Sequence, residues 1–145
     1  MKRVLFLMLA VLMLLPMVAA CGSSREGTPV EVANVKVISY KDAYTQAATG
    51  EAAQLDKTLG TVLYEGPITA YLAEGESLTL KHVVDSYALD IDGNAIYDED
   101  NARYTKLADL GAADGFFWNY YVNAKESGLG NAIQATDAIE IVFEK

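Results

Sequence analysis

The stretch Phe116-Phe117-Trp118-Asn119-Tyr120-Tyr121-Val122 reads as a β-strand before anything else in the chain does. Aromatic and β-branched side chains suit a pleated, half-buried surface. Strand alternation puts Phe116, Trp118, Tyr120 and Val122 on one face and Phe117, Asn119, Tyr121 and Asn123 on the other. Large rings on both faces predict either a central strand or a strand with one face left as a partly open binding wall. A Gly-containing loop follows from Asn123 to Ile133, and Asp137 then precedes a last strand over Ala138 to Phe143. That strand places Ile139, Ile141 and Phe143 on one face.

Upstream, Arg103 to Leu110 reads as a strand or short element ending at Gly111, and Ala112-Ala113-Asp114-Gly115 as a loop. The clearest helix lies before it. Leu80, Val83, Val84, Tyr87 and Ala88 recur at the spacing of one helical stripe. Ser77 or Thr79 can cap its start, and Glu76 lies favourably near the positive end of the helix dipole. His82 falls off the stripe and reads as a solvent-facing or rim side chain.

Leu89 to Ala95 contains Asp90, Asp92, Gly93 and Asn94 and invites a calcium reading. The EF-hand template wants Gly at its sixth position and Glu at its twelfth. Counted from Asp90, those positions hold Ala95 and Asn101, so the template fails. Asp92-Gly93 between Ile91 and Ile96 reads instead as a hairpin turn. Asp98-Glu99-Asp100-Asn101 reads as a solvated acidic loop.

Nearer the N-terminus, Leu59 to Tyr64 and Ile68 to Leu72 read as strands. Glu65-Gly66-Pro67 carries turn residues between them, which suggests a hairpin. Lys41 to Thr58 is rich in Ala, Gln and Thr and fits a short helix, a loop or both. Val30 to Ser39 alternates in part and reads as one strand or two, with Asn34 as an irregularity.

The first twenty residues have a different logic. Lys2 and Arg3 form a positive start, and Val4 to Val18 is apolar apart from Pro16. That run is shorter than the ~20 residues a spanning helix needs. Val18-Ala19-Ala20-Cys21 follows and resembles the bacterial lipobox, in which the cysteine is acylated and becomes the new N-terminus. The expectation is a lipoprotein signal peptide over residues 1–20, lipidation at Cys21, a flexible tether over residues 21–29, and a domain over residues 30–145. Two acyl chains anchor stably where one binds only marginally. The partner is then a membrane, and the location is extracytoplasmic, on the bacterial cell membrane. An uncleaved anchor, or an ordinary signal with a chance cysteine, is the competing reading.

Charge and counts narrow the function. The formal net charge is −9, and it becomes more negative by two once Lys2 and Arg3 are removed. Such a surface repels nucleic-acid phosphates, so DNA and RNA are not expected partners. One cysteine excludes an intrachain disulfide, and one histidine excludes a multi-histidine metal site.

The segment Phe117-Trp118-Asn119-Tyr120-Tyr121-Val122-Asn123 resembles the Trp-x-Tyr-x-Val-Asn signature of the transcobalamin C-terminal-like family. Gly75-Glu76-Ser77-Leu78, Tyr104 to Gly111 and Asp137-Ala138-Ile139 agree with the family's other short motifs. The resemblance runs over residues 59–145. It implies an α+β fold, a small β-grasp-like mixed sheet with one helix packed across it. It also implies a flat ligand, with cobalamin as the candidate, since in animal transport proteins this domain closes over one face of that cofactor. The chain departs from the family pattern at Asn123-Ala124, where Asn-Gly is usual, and at Thr136-Asp137, where Gly-Asp is usual. Ala resists positive φ, so a type I′ turn at Asn123-Ala124 is disfavoured and a different loop geometry is expected.

Three functions are weighed. The first is a membrane-anchored binding module for a corrinoid or another small flat ligand. Trp118 and Tyr120, or Tyr121 and Asn123, would stack on the ligand and bond its amides. Each ring has a competing use as core, and Asn123 as turn chemistry. The second is a cell-surface protein-interaction, adhesion or scaffold module without a small ligand. The third, an enzyme, lacks support: no Ser-His-Asp order, phosphate loop or free catalytic cysteine is present, and no catalytic residue is assigned.

Overall fold

A computed structural model describes residues 25–45 and 52–145. The signal segment, Cys21 and the first tether residues lie outside these, as do residues 46–51. The described residues fold as a mixed α+β domain, mostly strands with one α-helix. Its main sheet has five strands in the order β4 (Thr61–Leu72), β1 (Thr28–Ser39), β10 (Ala138–Glu144), β8 (Phe117–Val122) and β9 (Lys125–Glu126). β1 and β10 run parallel at the centre, and the other neighbours are antiparallel. β1 begins at Thr28, so Thr28 and Pro29 belong to the sheet rather than to the tether.

β4 is one continuous strand where the sequence suggested a hairpin about Glu65-Gly66-Pro67. The reason lies in its partner. The β1–β4 register is interrupted between Val32 and Val35, so Ala33 and Asn34 form a bulge opposite Pro67. The ladder is broken at the one place where proline has no N–H to give, and β4 is an outer strand, where proline is tolerated. The irregularity expected at Asn34 is this bulge.

One helix, α1 (Leu80–Tyr87), packs across the sheet. Leu80, Val83, Val84 and Tyr87 are buried, as their stripe predicts. They meet Val32, Val35 and Val37 of β1, Ile68 of β4, Trp118 and Tyr120 of β8, and Ile139, Ile141 and Phe143 of β10 in one core. Thr79 is the N-cap, and its backbone N–H donates to His82 Nδ1 at 3.1 Å. His82 Nε2 lies 3.2 Å from Glu76 Oε1. The histidine is therefore a part-buried capping group at the helix rim, one of the two places its position off the stripe suggested, and not a solvent-facing one.

Asp92-Gly93 is not a hairpin turn either. α1 continues into a single π turn, Ala88–Asp92, closed by Gly93, whose N–H donates to Ala88 O at 2.9 Å. Gly93 has φ +70°, the left-handed conformation that glycine supplies at helix ends. The chain then forms a small second sheet of β5 (Ile96–Asp98), β6 (Arg103–Leu107) and β7 (Leu110–Gly111). Asp98 closes the β5–β6 turn by accepting the N–H groups of Asp100 and Asn101.

The region over Lys41 to Thr58 contains no α-helix among its described residues. It holds the two-residue strands β2 (Tyr44–Thr45) and β3 (Gln54–Leu55) and starts a 3-10 turn, Lys57–Leu59. This segment lies over the sheet face opposite α1, where Ile38, Tyr40, Ala43 and Val142 make a second, smaller core.

Candidate functional site

The four residues singled out as a binding wall fall into three different environments. Trp118 is buried: its ring lies 5.0 Å from that of Phe143, and its Nε1–H donates to Leu110 O at 2.9 Å. Tyr120 is buried on the same face, and among the described residues its hydroxyl has no hydrogen-bond partner. Burial pushes that phenol well above its ordinary pKa. These two rings are core.

Tyr121 points to the opposite face of the sheet, and its hydroxyl donates to Glu144 Oε1. That hydrogen bond, then burial, raises its pKa. Asn123 sits in an exposed turn. Its Nδ2 donates to Asp137 Oδ1 at 2.8 Å, and its Oδ1 accepts the Ala138 N–H at 3.0 Å. Asn123 and Ala124 have φ of 51° and 63°, so the turn keeps the positive-φ pair of a type I′ hairpin although glycine is missing. The different loop geometry expected here does not occur. The clamp from Asn123 to the start of β10 holds the turn against the cost of Ala in the left-handed region. β8 is an inner strand, paired with β10 on one side and with the short β9 on the other.

A different set of residues does converge. Between α1 and the β5–β6 hairpin runs an open groove of about 380 Å³. Lys81 and Asp85, four apart on α1, form an ion pair at 2.7 Å. Tyr104 of β6 donates its hydroxyl to the other oxygen of Asp85 at 2.6 Å. Lys81 Nζ also stands 4.7 Å from the centroid of the Tyr97 ring on β5. The Tyr97 and Tyr104 rings meet at 5.0 Å and 63°. Burial first, and then the Asp85 hydrogen bond, pushes the Tyr104 phenol far up, so it stays a donor. Ala88, Leu89 and Ala95 give the groove apolar wall, and Glu99 adds a carboxylate.

The arrangement is preformed, because every polar group named on α1 and β6 is already paired. It offers an aromatic ring, an ammonium and carboxylates beside an apolar strip, which suits a small amphipathic molecule. Among the described residues no group of three His, Cys, Asp or Glu side chains is placed to hold a metal ion. No helix among them is long and apolar enough to cross a membrane.

Sequence reading missed this groove for a definite reason. Lys81 and Asp85 were visible as an i, i+4 pair on the helix. Tyr97 and Tyr104 join them only because β5 and β6 pair across the Asp98 turn, with Tyr97 opposite Tyr104. Compared with known families, curated proteins and solved structures, the chain matches none.

Proposed function

We propose that this chain is a lipid-anchored extracytoplasmic binding module for a small ligand, with the groove between α1 and the β5–β6 hairpin as its binding surface. The observation that carries the reading is the paired Lys81–Asp85–Tyr104 set standing beside the Tyr97 ring in an open cleft. The lipobox-like Val18-Ala19-Ala20-Cys21 after a short apolar run supports removal of residues 1–20 and acylation of Cys21. The sheet order, with parallel β1 and β10 at the centre and a helix between β4 and β8 in the chain, supports a β-grasp-like fold. That arrangement and the Phe117–Asn123 motif support kinship with the transcobalamin C-terminal-like family. They make a corrinoid the first ligand to try.

The ligand contacts differ from those read off the strand. With Trp118 and Tyr120 in the core, a flat ligand would lie along Tyr97 and Leu89 and exchange hydrogen bonds with Lys81 and Glu99. Trp118 serves as a reporter, because it is the only tryptophan and lies on the core side of this wall. The test is a titration of the acylated chain, in detergent micelles, with cobalamin and with cobinamide, followed by calorimetry and Trp118 fluorescence. The expected result is saturable binding that Tyr97→Ala weakens in a protein that stays folded. Absence of heat and of quenching at high micromolar ligand would overturn the corrinoid assignment.

One observation favours a second reading, a cell-surface protein-interaction module. Among the described residues nothing pairs with the outer edge of β4, and Val62 and Leu63 on it are exposed. A partner's strand can add to such an edge.

A further inference from the structure

We infer that Leu89, Ile91 and Ile96 form the surface on which the domain rests against the bilayer that holds its anchor, an inference that depends on the acylation of Cys21 proposed above. These three large apolar side chains are 69%, 45% and 55% exposed. Single exposed apolar residues need no explanation, but a group of them marks an interaction surface. All three lie in the short stretch from Leu89 to Ile96 that closes α1 and leads into β5.

The chain itself says what covers them. Arg25, at the start of the described residues, pairs with Asp90, which sits between Leu89 and Ile91. Its guanidinium also stands 5.5 Å from the centroid of the Tyr71 ring on β4. Four residue steps, through Gly22, Ser23 and Ser24, lead from Cys21 to Arg25. At roughly 3.3–3.6 Å each, they are a leash of about 14 Å at most. The acylated sulfur therefore stays close to the Leu89–Ile96 stretch, and the membrane surface lies on that side of the molecule. An acidic domain is repelled by anionic headgroups, and Arg25 lessens that repulsion at this surface by neutralising Asp90, which lies between Leu89 and Ile91.

The orientation has a consequence for the groove. Leu89 belongs both to the proposed docking surface and to the groove wall. Docking therefore brings one edge of the groove to the membrane surface.

The test uses the full acylated chain in vesicles of phosphatidylcholine and phosphatidylglycerol. Acylation blocks the only native thiol, so a cysteine introduced by Ile91→Cys takes an environment-sensitive fluorophore alone. Glu126→Cys, on β9 at the opposite edge of the sheet, is the control. Flotation with the vesicles reports anchoring. The expected result is flotation of both proteins, with the fluorophore at position 91 blue-shifted and quenched severalfold more by nitroxide lipids than the one at 126. A triple change of Leu89→Ser, Ile96→Ser and Arg25→Ser, in the labelled Ile91→Cys protein, should abolish that difference while flotation persists. Flotation with equal quenching at both positions would overturn the docking surface and leave the anchor standing. Failure to float would overturn the anchor and the docking surface with it.

Discussion

Asn123 shows how one side chain can fix a turn that its neighbour resists. Its amide bridges Asp137 and the Ala138 N–H, and its own N–H donates to Ala138 O at 2.8 Å. Ala124, at φ 63°, carries the strain. Ala124→Gly is expected to raise stability by about 1 kcal/mol, since glycine adopts that φ without steric cost. Asn123→Ala is expected to lower it by about 1–2 kcal/mol through the lost hydrogen bonds. Urea unfolding of the two variants checks both signs.

Tyrosine ionisation offers a second test at this scale. Of the nine tyrosines, Tyr40, Tyr87, Tyr104 and Tyr120 are shifted upward chiefly by burial, and Tyr121 chiefly by its hydrogen bond to Glu144. Tyr87 is pushed up to about 12 by burial, with the Asp92 charge adding to it. A phenol whose folded pKa is raised contributes stability that is whole below its unfolded pKa, about 10, and is lost as pH rises through the folded value. Stability should therefore hold up to about pH 10 and fall above it. Tyr87→Phe should flatten the part of that fall below about pH 12. Denaturation midpoints across the alkaline range measure it.

At the scale of elements, α1 holds the sheet through a single apolar stripe. Leu80 is fully buried, so Leu80→Ala should cost about 2–5 kcal/mol, the range for a core leucine. His82→Ala removes the acceptor for the Thr79 N–H and the contact with Glu76, and should cost about 1 kcal/mol, as a lost cap does. Chemical denaturation of the two proteins orders them. This helix was legible because its period survives in the residues. So was the last strand, with Ile139, Ile141 and Phe143 inward. β4 was not, because Gly66 and Pro67 signal a turn locally and only the bulge in β1 makes them fit a strand. Asp92-Gly93 failed for a related reason: a left-handed glycine closes a helix as readily as it turns a hairpin. In the Lys41–Thr58 region, the short elements that are described leave no period to read.

At the scale of the whole molecule, the residues that looked most like a site were those with the largest rings, and the fold spends Trp118 and Tyr120 on its core. The groove draws Lys81, Asp85, Tyr97 and Tyr104 from three elements, so no single window of sequence contains it. The proposed address label is the reverse case, carried by consecutive residues from Lys2 to Cys21. As proposed, a small acidic domain stands on the outer side of a membrane, held by an acylated Cys21. The most direct check is the intact mass of the protein recovered from the membranes of a bacterium expressing the full chain. The account predicts a chain that begins at Cys21 and carries the added mass of acyl chains. A chain that keeps residues 1–20, or one cut elsewhere with an unmodified Cys21, would contradict it.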